Sequence, residues 1–111
     1  MAKLETILTG SFDEWLERIE SGILHGSITA DLEDSSDFFS EDGMSRCSVR
    51  VFEKYGIVGS NRVSLSVTLF QGADGLIHCS AISSGGSQAM FFKINTFDEA
   101  LFLDKLEDLL V

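Results

Sequence analysis

Between Ser45 and Asn95, apolar side chains recur at every second position through four consecutive segments, the period of strands that bury one face. In the first segment Cys47, Val49 and Val51 point inward, against Arg46, Ser48, Arg50 and Lys54. The second sets Val63, Leu65, Val67 and Leu69 against Arg62, Ser64, Ser66 and Thr68, and the third sets Ile77, Cys79 and Ala81 against His78 and Ser80. Directly opposed residues of an antiparallel pair share a face, so each connection must preserve these parities. A three-residue loop within Gln71-Gly72-Ala73-Asp74-Gly75, with Gly75 left-handed, opposes Leu69 to Cys79 and Val67 to Ala81. A two-residue Gly85-Gly86 turn opposes Ala81 to Met90, Cys79 to Phe92 and Ile77 to Ile94, and so buries the fourth segment. A two-residue Gly59-Ser60 turn instead opposes Val51 to Thr68, one from each face. An odd loop or a bulge is therefore predicted between Phe52 and Asn61, where the acid Glu53 on the inward parity fits a register change.

Lys3 to Thr9 predicts a short strand, although adjacent Ile7 and Leu8 blur its alternation. Ser11-Phe12-Asp13-Glu14 is a capping box, from which Phe12, Trp15, Leu16, Ile19 and Ile23 run as one apolar helical stripe, with Gly22 as a stop. From His25 to Glu33 the alternation of Ile28, Ala30 and Leu32 with Thr29, Asp31 and Glu33 predicts another strand. Residues 34–43 gather Asp34, Asp37, Glu41 and Asp42 around Phe38 and Phe39 with no period of either kind, and are expected to form an acidic loop. Thr96-Phe97-Asp98-Glu99 repeats the capping box and opens a second helix through Leu101, Leu106 and Leu110.

The 111 residues suit one domain, 1–111, burying roughly two-thirds of its unfolded surface. No secretory segment and no apolar run near the ~20 residues of a membrane span is visible, so a cytoplasmic protein without membrane contact is expected. Cys47 and Cys79, both on inward parity and on strands separated by a third, are expected to stay unpaired as small hydrophobes. A net charge of −10, from 18 acids against 8 bases, argues against nucleic-acid binding.

Two stretches, Asn61-Arg62-Val63-Ser64-Leu65-Ser66-Val67-Thr68-Leu69-Phe70 and Ser83-Ser84-Gly85-Gly86-Ser87-Gln88-Ala89-Met90-Phe91-Phe92-Lys93-Ile94-Asn95-Thr96, carry a resemblance that extends over the whole chain. The sequence resembles a family of small bacterial proteins catalogued only as a domain of unknown function. That resemblance implies a bacterial, cytoplasmic protein and supplies no activity or site residues.

Candidate chemistry therefore rests on the residues themselves. Arg46, Arg50, Lys54, Arg62 and Lys93, five of the eight bases, fall on the outward parity, interleaved with His78 and the hydroxyls of Ser48, Ser64, Ser66, Thr68 and Ser80. An open antiparallel face is commonly just polar. The functional alternative is a contact surface for an anionic small molecule, an acidic peptide or a second copy, with Arg50, Thr68, His78, Ser80, Lys93 and Phe91 as its binding residues and Phe52 and Phe70 as further apolar anchors. Ser83 to Gln88 could offer backbone amides to an anion, but it lacks the Gly-Lys-Ser/Thr ending of a phosphate loop, and turn chemistry explains it as a hairpin. His78, Ser80, Thr68 and Asp31 contain the residue types of a hydrolase triad without a nucleophile elbow, so no catalytic residue is assigned. The acids from Asp31 to Asp42 lack the order of a calcium loop, and Cys47 and Cys79 face away from His78, so no metal or other cofactor is expected.

The expected architecture is α+β: a two-layer sandwich in which a mostly antiparallel sheet of five to six strands carries two helices on one face, in the order β-α-β-β-β-β-β-α. The leading functional expectation is a non-enzymatic binding or self-associating module, a homo-oligomer such as a dimer, that uses the other face. The rival is a small-molecule binding protein or minor enzyme with a pocket between helices and sheet.

Overall fold

Strand alternation and helical stripe resolve into β1 (Ala2–Leu8), α1 (Phe12–Gly26), β2 (Asp31–Phe39), β3 (Arg46–Tyr55), β4 (Arg62–Gln71) and β5 (Ile77–Gly85). The computed structural model describes residues 2–26, 30–55 and 62–85, together with Leu106 and Asp108, which are both helical. Among these residues the fold is α+β, a five-stranded sheet in the order β1-β5-β4-β3-β2 with every neighbouring pair antiparallel, and one helix. The sixth strand predicted near Met90 to Ile94, and the second helix apart from Leu106 and Asp108, lie outside the described residues.

The Ser11 cap forms as predicted, its Oγ accepting from the Glu14 amide at 3.2 Å. Gly22 does not stop α1, which continues to Gly26 because Ile23 is fully buried in the core and Leu24 packs against it. Tertiary burial outweighs the propensity cost of one glycine. Accordingly, the strand expected from His25 begins only at Asp31.

The apolar core lies between α1 and β1, β5 and β4. Phe12, Ile19 and Ile23 from the helix meet Leu8, Val63, Leu65, Val67, Leu69, Ile77, Cys79 and Ala81, and Leu106 joins the same cluster. The β4–β5 register is the predicted one, Leu69 opposite Cys79 and Val67 opposite Ala81. Gly75 turns the chain at φ +81°, with its amide donating to Gly72 O at 3.0 Å.

Strand β3 overturns the expected parity. It pairs with β4 without interruption from Arg46 opposite Gln71 to Tyr55 opposite Arg62, so no bulge lies in the described ladder between them. This register puts Arg50 beside Val67 and Phe52 beside Leu65, so Ser48, Arg50 and Phe52 face α1 and are buried while Cys47, Val49 and Val51 face the other way. Phe52, expected as an outward anchor, is 0% exposed. The bulge lies instead in β2, where the register shifts between Leu32 and Asp34.

Residues 34–39 of the expected acidic loop belong to β2, an edge strand exposed along its whole length. An edge strand needs no buried stripe, so its composition hides it. Charge pairing holds it. Asp37 accepts from Ser48 Oγ at 2.5 Å and receives the fork of Arg50, Nη1 to Oδ1 at 3.1 Å and Nη2 to Oδ2 at 3.3 Å. Arg50 Nε donates to Glu20 Oε1 of α1 at 2.6 Å, so one guanidinium joins helix, central strand and edge strand. Two turns nearer the start of α1, the Arg46 guanidinium stacks 4.0 Å from the Phe12 ring centroid and 4.8 Å from that of Phe39, and pairs with Asp13 at 3.0 Å.

Candidate functional site

The sheet face opposite α1 carries no described helix, and the strand registers line its side chains up in rows across the strands. One row crosses all five strands: Ile7 pairs with His78, His78 with Phe70, Phe70 with Cys47 and Cys47 with Phe38. It lies at the end of the sheet where the chain turns from β2 to β3 and from β4 to β5. These are large side chains in water: Ile7 is 56% exposed, Phe70 44% and Phe38 63%. The Phe70 and His78 rings are 6.3 Å apart and tilted by 43°.

The next row is Glu5, Ser80, Thr68, Val49 and Ser36, followed by Lys3, Ile82, Ser66, Val51 and Asp34. An apolar band at one end thus grades into small hydroxyls and half-buried valines, with the charges of these rows at the two edges and the Arg62–Glu53 pair at the far end of β4 and β3. A shallow depression of about 430 Å³ opens over Ile7, Phe70, His78, Thr68 and Ser80.

Three of the predicted binding residues, Thr68, His78 and Ser80, therefore come together on this face. Arg50 does not, because its ion pairs draw it beneath the helix. Arg46 and Lys54 share its parity, and Arg62 pairs with Glu53, so the face is not the basic platform that alternation implied. Phe91 and Lys93 lie outside the described residues, as do positions 86–88 of the predicted amide loop.

Asp31 sits on β2, three strands from His78 on β5, which is about 14 Å across the sheet, and it is level with Glu53 whereas His78 is level with Cys47, roughly 20 Å further along it, too far for a triad. Cys47 lies on the outer face and Cys79 in the core, on strands separated by β4 and both unpaired. Burial pushes the Cys79 thiol up to about 11. Among the described residues no three His, Cys, Asp or Glu side chains converge as metal donors, and no helix is long and apolar enough to cross a membrane.

Ile7 and Phe38 escaped the sequence reading, although a signal existed. Ile7-Leu8, Phe38-Phe39 and Leu69-Phe70 are adjacent apolar pairs at the same end of the sheet, and each puts one side chain on either face.

Fold and face together define a small α+β protein with an antiparallel sheet backed by a helix and an apolar band on the opposite side. Over residues 1–111 the chain matches the family described as "Family of unknown function (DUF6054)". It belongs to that family. No curated protein and no solved structure matches it.

Proposed function

We propose that this protein is a non-enzymatic binding module that associates with a second copy of itself through the outer sheet face. The observation that carries the reading is the Ile7-His78-Phe70-Cys47-Phe38 row, a continuous apolar and aromatic band rimmed by polar side chains. Contiguous exposed apolar surface of this kind costs free energy in water and marks a contact surface. Small hydroxyls and valines beside it allow a second sheet to approach closely.

A second copy suits the face better than an anionic ligand does, because Arg46 and Arg50, the cations such a ligand or an acidic peptide would need, are engaged by Asp13, Glu20 and Asp37. The rival pocket between helix and sheet has little room, since Ile19 and Ile23 of α1 are both fully buried against the strands. The same reading keeps the protein in the reducing cytoplasm, where Cys47 and Cys79 stay free.

Light scattering behind a sizing column tests the proposal. The wild-type chain is expected to elute as a dimer, and Phe70→Glu, which puts a charge at the middle of the band, as a folded monomer with unchanged far-ultraviolet circular dichroism. A wild-type monomer at every concentration, or a Phe70→Glu chain that remains dimeric, contradicts it.

A further inference from the structure

Resting on self-association through the outer face, we infer that the two copies are related by a two-fold axis parallel to the strands and centred over β4, so that β1 of one copy lies over β2 of the other. Two identical sheets packed face to face with their strands aligned have their two-fold axis in the plane between them, close to the strand direction or close to the direction across it. An axis across the strands reverses the order of the rows. Full overlap then sets the apolar band against the end of the face that carries Ser64, Glu53 and Arg62, burying an ion pair against aromatic rings.

An axis along the strands leaves every row at its own level and reverses only the strand order. Since β4 is the middle strand of the β1-β5-β4-β3-β2 sheet, Phe70 then meets the partner's Phe70, Ile7 meets the partner's Phe38, and His78 meets the partner's Cys47. The band covers itself. The sheet twist permits this aligned packing at about −30°.

The charges at the two edges give the argument its independent support. Lys3 and Asp34 occupy the same row at opposite edges, joined through Ile82, Ser66 and Val51. Exchanging the edges therefore brings Lys3 over the partner's Asp34, once on each side of the axis. Lys3 is exposed and only loosely engaged by Glu5, at 3.4 Å, and Asp34 is an exposed edge residue. One row nearer the band, Glu5 faces the partner's Ser36, so no two acids in these rows oppose each other. Charge pairs at a rim set orientation more than affinity, and like charges brought together there are strongly disfavoured.

Charge reversal reads this geometry directly. Sedimentation equilibrium should show the dimer dissociation constant of Lys3→Glu and of Asp34→Lys raised about tenfold or more, and that of the double variant returned to within about threefold of wild type. Urea unfolding of the single variants checks that their folds persist. A wild-type dimer whose affinity ignores the single reversals, or whose double variant is as weak as the singles, overturns this axis and leaves self-association standing. A wild-type monomer overturns both.

Discussion

Replacing Phe52 by alanine is expected to remove about 3–5 kcal/mol of stability, the largest loss from any single truncation considered, because the ring is fully buried between α1 and the sheet. It sits between Leu65 of β4 and Leu32 of β2, and the rigid ladder on both sides prevents the space from closing. A domain of this size has about 5–15 kcal/mol in total, so the urea midpoint should fall by about a fifth or more with little change in slope. Val49→Ala and Val51→Ala, on the half-buried outer side, should cost clearly less. The comparison decides the parity of β3. A loss below about 1 kcal/mol at Phe52, with larger losses at the valines, would mean that the strand is turned over.

Arg50→Met should be the next most damaging change, at about 3 kcal/mol. The side chain retains its volume but leaves Glu20 and Asp37 without their cation. These partners keep 31% and 43% of their side chains exposed, and water therefore recovers part of the loss and holds it at the low end of what breaking a buried pair costs. The pH dependence follows. Hydrogen bonds from Ser48 and then Arg50 hold the Asp37 carboxyl below its ordinary value of 3.8. A carboxyl depressed by folding contributes stability that is present above its ordinary pKa and lost as pH falls through the folded value. Wild-type urea midpoints should therefore decline as pH falls below about 4, and that part of the decline should flatten in Arg50→Met. Equal acid slopes in the two proteins would show that the Arg50–Asp37 link does not contribute.

Much of this arrangement was legible because β4 and β5 bury one strict parity and join through a loop whose glycine admits a single register. Leu69 opposite Cys79 followed from residue types and spacing alone. The first turn of α1 was equally open, since Ser11 caps it by local chemistry. Strand β3 misled for a physical reason: both of its parities contain apolar residues, and alternation cannot weigh an arginine that gains two carboxylate partners under a helix against a valine left half in water. Those partners, Glu20 and Asp37, are remote in sequence, and the edge strand carrying Asp37 has no period to announce it. For the same reason the basic platform dissolved and an apolar band took its place. Thr68, His78 and Ser80 were placed on the outer face because β4 and β5 were read correctly, and Ile7 and Phe38 were missed because they lie at the edges.

The most direct test of the central claim, that the outer face is covered by a second copy, is the rate at which Cys47 is alkylated as protein concentration rises. Cys47 lies within the apolar band, whereas Cys79 is 2% exposed with its thiol pushed up to about 11, so labelling reports the face alone. The rate is predicted to fall with concentration in the wild-type chain and to stay constant in Phe70→Glu. One rate shared by both proteins at every concentration would contradict the account.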